Sequence, residues 1–431
     1  MSPDELIAAE KAHQWHPFTQ MEEWCAADHQ PLIIERGDGC SLFDSNGLRY
    51  LDGNSTIWTN IHGHSHPTIT SAVARQLGKI AHVSFLGQTH RPAIELAKKL
   101  VSLIDGEPLS RVFFTDDGST AIECALKMAI QCWQQSGRAD KTEILSFDQA
   151  YHGDTFGASS IGGIPAFHDR FDQLGLKTHR IRGIEDLEKI PKSTVKRLAA
   201  ACIEPLIQGA AGMRIWEKGM LRELCEWCEE NEVLLILDEV MTGFGRTGTM
   251  FAFQQEGIVP DFLCLAKGLT GGTMPLAATM TSESVHSAFL GGRERAFYHG
   301  HSYTANPLGC VAALANLQIF EDENTLENLA PKIEYLEAAI GALSSSPNVS
   351  AVRNCGFIAA IDLCGADGDA LPVEERWGEK VCLRARDLGL LTRPVRDTVV
   401  LMLPLSATVD QIDEAIVAIA QSLDVFPGVL D

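Results

Sequence analysis

The sequence predicts an α/β protein: a large domain on a mostly parallel sheet flanked by helices, followed by a smaller α/β domain. Three observations carry this. Between about residues 65 and 320, short apolar runs alternate with stretches of helical period, the pattern of parallel strands joined by covering helices. Five of those runs end in polar or glycine-rich residues, as strands do where an open α/β sheet meets its ligand crevice. A second, shorter series of strand-like and helix-like segments begins after about residue 325.

Taken in order, residues 31–53 read as an antiparallel meander. Leu32-Ile33-Ile34 and Cys40-Ser-Leu-Phe43 are separated by Gly37-Asp-Gly39, and Asn46-Gly47 supplies a hairpin turn before Leu48-Arg-Tyr-Leu51. The five expected core strands are Arg111–Phe114, Glu143–Phe147, Leu198–Ile203, Val233–Leu237 and Phe262–Ala266. They lead into Asp116-Asp-Gly-Ser119, Tyr151-His-Gly-Asp154, Glu204-Pro205, Asp238-Glu239 and Lys267-Gly268 in turn. In the C-terminal part, Val349–Val352, Phe357–Ile361, Leu390–Thr392 and Thr398–Leu403 read as strands. Thr408-Val-Asp-Gln411 opens the last helix as a capping box, and Ile412, Ile416, Ile419 and Leu423 form its core stripe. The expected division is an N-terminal segment and meander over 1–60, a large domain over 61–324 and a small domain over 325–431, with the meander packed on the small domain.

The chain has 431 residues and a net charge of -22, which argues against nucleic acid or an anionic membrane as partner. No apolar run reaches the length of a membrane span. The start, Met1-Ser-Pro-Asp-Glu-Leu6, has no basic stretch leading into an apolar one. Twelve cysteines scatter through helix-like and strand-like segments, as reduced thiols do in a cytoplasmic protein. Cys225 and Cys228 sit on an amphipathic helical pattern with no second pair at zinc spacing and read as structural.

Asp238 and Lys267 each close a buried apolar run, and a charge in that position is costly unless something pairs with it. Pyridoxal phosphate (PLP) uses both residue types: a carboxylate for its ring nitrogen and a lysine amine for its aldehyde. A turn cap and a surface lysine would account equally well for the pair taken alone. Asp117-Gly118-Ser119-Thr120 joins a strand to a helix whose apolar positions are Ile122, Leu126, Ile130 and Trp133. That puts Gly118 to Thr120 at a helix N-terminus, where free N–H groups hold phosphate and Ser119 adds a hydroxyl. Thr120 and Glu123 also match a capping box, which needs no ligand. Tyr151 follows the next strand and could stack on a flat ring or simply cover a loop.

Together these residues resemble the class III pyridoxal-phosphate aminotransferases: Gly118-Ser119, Tyr151-His-Gly153, Glu204-Pro205, Leu237-Asp-Glu-Val240 with Gly243-Phe-Gly-Arg246, and Lys267-Gly268. Trp15-His-Pro17, Gly87-Gln-Thr-His90, Leu269-Thr-Gly-Gly-Thr-Met274 and His299-Gly300-x-Ser302-x-x-x-Asn306-Pro-Leu308 resemble, within that class, the adenosylmethionine–8-amino-7-oxononanoate aminotransferase family of biotin synthesis. The resemblance runs from about residue 10 to 405. It implies the fold type I of PLP-dependent transferases and a homodimer with shared active sites. Lys267 would carry the cofactor and shuttle the proton, Asp238 would hold the ring nitrogen, and Gly118 and Ser119 would cradle the phosphate. Tyr151 would cover the ring, while His301 and Ser302 would reach the neighbouring subunit's phosphate, with Gly300 bordering the substrate. Arg393 would bind the substrate carboxylate, and Arg246 and Glu204 would lie near the substrate channel.

Two departures bear on the amino donor. Phe18 stands where family members using S-adenosylmethionine carry tyrosine, removing a hydrogen bond of about 0.5–1.5 kcal/mol. Ile57-Trp58 replaces a tryptophan pair and shrinks one wall of the pocket. S-adenosylmethionine or L-lysine would therefore be the donor, with 8-amino-7-oxononanoate as acceptor. Another class III ω-aminotransferase and a non-catalytic vitamin-B6-binding module are the other readings. The alternating His62, His64 and His66, like His299 and His301, suggest a metal site; a loop at the pocket rim is the simpler account, since no carboxylate or thiol stands at ligand spacing beside them.

Overall fold

Gly47, at φ +80°, makes the reversal that turns residues 31–53 into a meander. Asp44 Oδ1 closes that turn by accepting from Asn46 N and Leu48 N. The strands are β1 (Ile34–Asp38), β2 (Ser41–Asp44) and β3 (Arg49–Asp52), paired antiparallel. The computed structural model describes residues 1–426.

The central sheet draws on β4 (Arg111–Thr115), β5 (Glu143–Phe147), β6 (Thr178–Ile181) and β7 (Leu198–Ile203). A small ribbon, β8 (Ile207–Gln208) and β9 (Arg214–Ile215), precedes β10 (Leu234–Asp238), β11 (Phe262–Leu265) and β12 (Ala277–Thr281). The seven strands lie in the order β4-β12-β11-β10-β7-β5-β6, and only β12 runs against the rest. All five expected strands are present; β6 and β12 went unread. β6 is an edge strand of mixed character, Thr-His-Arg-Ile, and does not look apolar. β12 is Ala-Ala-Thr-Met-Thr, with no valine, isoleucine or aromatic residue to make an apolar run, and is buried because β4 and β11 flank it.

The helix Gly118–Gln135 covers one face of this sheet. It buries Ala121, Ile122, Ala125, Leu126 and Ala129 against Ile236, Phe262 and Cys264. Its alanines let the backbone approach closely enough for Thr279 Oγ1 to donate to Ala121 O at 2.8 Å. Each large apolar side chain buried this way contributes about 1.5–3 kcal/mol, so packing holds this helix down more than propensity does. Among the described residues, no helix is long and apolar enough to cross a membrane.

The C-terminal strands β13 (Val349–Cys355), β14 (Ile358–Leu363), β15 (Leu390–Leu391), β16 (Pro394–Val395) and β17 (Thr398–Leu401) do not all share one sheet. β13-β14-β17-β16 make an antiparallel sheet, whereas β15 pairs parallel with β3 of the meander through Leu390↔Leu51 and Leu391↔Asp52. Met402 N also donates to Gly53 O at 2.8 Å. The N-terminal meander is thereby stitched to the last hundred residues, close to the start of the central domain. The final helix, Val409–Ser422, opens on the Thr408–Gln411 capping box.

Candidate active site

Parallel strands of one sheet end on the same edge, so their terminal residues meet. Here the edge opens on a cavity of about 790 Å³. β4 leads into Asp116 to Ser119, β5 into Tyr151 to Thr155, β7 into Glu204, β10 ends in Asp238, and β11 leads through Ala266 into Lys267; all of these line it. Register brings them level, with Leu237 beside Ile203 and Asp238 beside Cys264.

Asp238 is held from two sides. Its Oδ2 lies 2.7 Å from His152 Nδ1, and its Oδ1 accepts from Val240 N at 3.1 Å. Burial disfavours the charged form of His152, yet Cys202 at 3.8 Å and the Asp238 carboxylate hold its pKa well above the ordinary histidine value. Burial also pushes the Cys202 thiol up, so Asp238 is the negative partner. His152 lines the cavity and was not among the residues picked from sequence. Its signal was its place beside Tyr151 at a strand end, where a buried imidazole needs a partner.

Lys267 starts a short 3₁₀ turn with φ at +41°, a conformation that non-glycine residues rarely hold. Its Nζ stands 5.3 Å from the Trp58 ring centroid. Burial lowers its pKa, with Asp238 and Glu204 pulling the other way. A depressed lysine pKa puts more of the amine in its nucleophilic form. Glu204 accepts from Tyr151 N at 3.3 Å and from Gly209 N at 2.9 Å. Burial raises its pKa from 4.5 to about 7, against the opposing pull of His152. A raised carboxyl pKa means the folded state holds the proton longer than the unfolded state. Stability should therefore fall as pH rises from about 4.5 to about 7, by as much as about 3 kcal/mol from this group. Denaturant titrations across that range should show the slope, and Glu204→Gln should flatten it; an equal slope in both would remove Glu204 as its source.

At the helix N-terminus the cap is Asp117, not Thr120. Asp117 accepts from Thr120 N at 2.9 Å, and Thr120 Oγ1 accepts from Asp117 N at 3.2 Å. The helix starts at Gly118 as expected, and the alternative Thr120–Glu123 box does not form, because Asp117 is the last residue with extended backbone. Glu123 instead accepts from Gly157 N at 2.6 Å. Ser119 Oγ lies 2.8 Å from Thr155 Oγ1 and accepts from Thr155 N, which ties the β5 loop to the helix start. Gly153 makes this approach possible: its φ is +117°, and a Cβ there would lie 2.3 Å from Ser119 Oγ. Gly153→Ala should displace Ser119, cost about 1–3 kcal/mol in strain and weaken phosphate-dependent cofactor retention. Thermal melts and dialysis against phosphate buffer would check both; parental values for both would show that the cradle is not built this way.

The remaining residues picked from sequence divide between the cavity wall and places away from it. Tyr151 lines the cavity, and its hydroxyl donates to Asp154 at 2.7 Å; burial and that carboxylate push its pKa up. Phe18 is exposed at the mouth, edge-on to Tyr151 at 6.5 Å and to Phe167 at 5.3 Å. Trp58 lines the cavity and Ile57 points out. Arg246 is not on the channel: it is fully buried, with its guanidinium spent on Leu403 O at 2.7 Å and on Asn60 O. Arg393, Gly300 and Ser302 are exposed and off the cavity of this chain, and His301 reaches it only through Asp116 at 3.7 Å. The histidine loop is not at the rim. His62 is buried against Phe320, with burial taking its pKa to about 3; His64 pairs with Asp52 and His66 with Glu323. Cys225 and Cys228 are buried in the helix Met220–Glu230.

This donor set fits PLP. A buried carboxylate and a lysine face one space, a helix N-terminus with a serine borders it, and His152 Nε2 has no protein partner. Residues 25–423 match the model of the family described as aminotransferase class-III. The chain is 44% identical over 433 residues to the adenosylmethionine-8-amino-7-oxononanoate aminotransferase of Nitratidesulfovibrio vulgaris, covering 95% of this chain and 79% of that one. The crystal structure of the Methanocaldococcus jannaschii enzyme of the same name superposes with a TM-score of 0.95 at 38% identity, covering 98% of this chain and 99% of that one. An amine transaminase from an uncultivated Pseudomonas species, solved in its PLP-bound form, gives 0.88 at 32% identity over 96% and 98% of the chains. A strand-end cavity holding a lysine opposite a buried aspartate, in a chain matched almost throughout by these enzymes, makes this protein a member of the PLP-dependent class-III aminotransferases.

Proposed function

We propose that this enzyme aminates 8-amino-7-oxononanoate to 7,8-diaminononanoate in biotin synthesis. The observation that carries the reading is the Lys267–Asp238 pair across a cavity whose lining runs from Trp58 to Leu276, in a chain 44% identical to an enzyme of that name. Bound PLP supplies an electron sink for the substrate carbon. The protein's own residues do the rest. Lys267 Nζ anchors the cofactor and carries the proton to and from the substrate carbon. Asp238, kept in place by His152 and Val240 N, holds the proton on the ring nitrogen. Gly118 and Ser119, at the cavity's helix N-terminus, would hold the phosphate, and Tyr151 would cover the ring.

A homodimer with shared sites is part of the proposal. Ser302 stands exposed next to the exposed Tyr303, and would reach the partner's phosphate with His301 beside it. Arg393 makes none of the ion pairs found among the described residues and is free to take a substrate carboxylate, with Gly300 at the border. The twelve unpaired thiols suit a reducing, cytoplasmic setting.

The donor is tested by mixing PLP-loaded protein separately with S-adenosylmethionine and with L-lysine, following the loss of cofactor absorbance, then adding 8-amino-7-oxononanoate. Loss with S-adenosylmethionine makes Phe18 a tolerated change; loss with lysine alone makes Phe18 and Ile57 the marks of a donor switch. The likeness to an amine transaminase supports a second reading, amination with a simple amine as donor. Response to such an amine only, with no turnover of the keto acid, would select it.

A further inference from the structure

Ser55, Thr56, Ile57 and Trp58 have φ of +44°, +51°, +60° and +66°. Four consecutive non-glycine residues in this region make one turn of left-handed helix, which L side chains resist because Cβ crowds the following carbonyl. Thr56 and Ile57 are β-branched and resist it most. Such a turn persists only where its surroundings over-determine it.

Asp52 is the group that does so. It is buried, and its Oδ1 accepts from Thr56 N at 2.9 Å and Asn54 N at 3.4 Å. Its Oδ2 accepts from Thr56 Oγ1 at 2.7 Å and from His64 Nε2 at 2.8 Å. Asn60 Nδ2 lies 3.1 Å from His64 Nδ1 and fixes the ring. Burial works against the carboxylate charge, but these donors hold the Asp52 pKa below its usual value. Ser55 Oγ anchors the start of the turn on Met402 O at 2.6 Å, and Trp58 Nε1 donates to Asn54 Oδ1 at 2.8 Å. The product is the Trp58 indole on the cavity wall, 5.3 Å from Lys267 Nζ. A right-handed turn over the same residues would carry that indole off the wall. Neither Asp52 nor His64 lines the cavity.

We propose that Asp52, backed by His64, is a positioning residue of the transamination site: it holds the left-handed turn that sets Trp58 against Lys267, and through that wall the fit of the substrate chain. The proposal rests on the cavity being the reaction site and on neither choice of donor. In the PLP-loaded enzyme, Asp52→Ala and Trp58→Ala should each raise KM for the keto acid about tenfold with kcat changed less than about threefold. Both should lose the same near-ultraviolet dichroism band. Thr56→Gly in the Asp52→Ala background should recover most of the KM loss, because glycine takes positive φ without the Cβ clash. A merely structural Asp52 would give lower thermal stability with KM unmoved and no glycine rescue, which overturns the proposal. Should Asp52→Ala not fold, Thr56→Val leaves the Asp52–His64 pair intact and should raise KM about threefold; an unchanged KM overturns it equally. If Trp58→Ala alone is silent, the reading of the cavity as the reaction site falls as well.

Discussion

Lys267→Ala should abolish turnover, lowering kcat/KM by about 10³-fold or more while the fold survives. Two roles vanish together. On the proposed assignment the amine that anchors the cofactor is gone, and so is the base that moves the proton, itself a contribution of about 10²–10⁴. The residue sits at φ +41° beside Gly268, so alanine also keeps an unfavourable backbone conformation with nothing gained from it. Thermal stability should therefore stay level or fall slightly, not rise. Lys267→Arg should be as inactive, since guanidinium stays protonated and cannot add to an aldehyde. Single-turnover assays with exogenous methylamine offer a check, because a small amine can restore proton transfer in the cavity next to Trp58. Turnover by Lys267→Ala at the parental rate would end the assignment.

The second large effect is expected at the buried Asp238–His152 pair. Asp238→Asn keeps the shape and one acceptor but removes the charge proposed to hold a proton on the ring nitrogen. We expect a loss of about 10²–10³ in the half-reaction with either donor. It also leaves His152 with no negative partner in a buried place, a loss of about 3–5 kcal/mol if the ring stays charged. His152→Ala should do less to the chemistry and more to positioning: Asp238 retains Val240 N but can swing, so cofactor affinity falls before kcat does. The pH dependence has a definite sign. The folded His152 pKa lies above its unfolded value, so its contribution to stability is complete below about pH 6.5 and fades as pH rises through the folded value. The wild type should show that fade, and His152→Ala should not. Asp238→Asn with parental half-reaction rates would mean that another group holds the ring.

How much of this was legible beforehand depended on whether a feature is local. The strand ends announced themselves because a charge after five apolar residues is expensive, and Glu204, Asp238 and Lys267 all obey that rule. Helix 118–135 was legible from its stripe, which placed Gly118 to Thr120 at its N-terminus; both Asp117 and Thr120 can cap, and the choice falls to whichever residue keeps extended backbone. His152 escaped because its reason for being there is Asp238, distant along the chain, and no local pattern records a partner of that kind. Arg246 misled for the same reason. In sequence it is a cation in a glycine-rich loop beside Asp238; in the fold its charge is consumed by two backbone carbonyls.

From the sequence alone came the α/β class, five of the seven central strands, and the lysine and carboxylate that meet at the cavity. Periodicity and the cost of burying charge are properties of a few neighbouring residues, and they survive in one dimension. The tertiary structure alone decided which way β12 runs, that β15 leaves its neighbours to join the meander, that His152 backs Asp238, and that residues 55–58 coil left-handed. Each of these is settled by a contact between segments far apart in sequence. There the local preference, even one as firm as right-handedness, yields to a buried carboxylate that must find its donors.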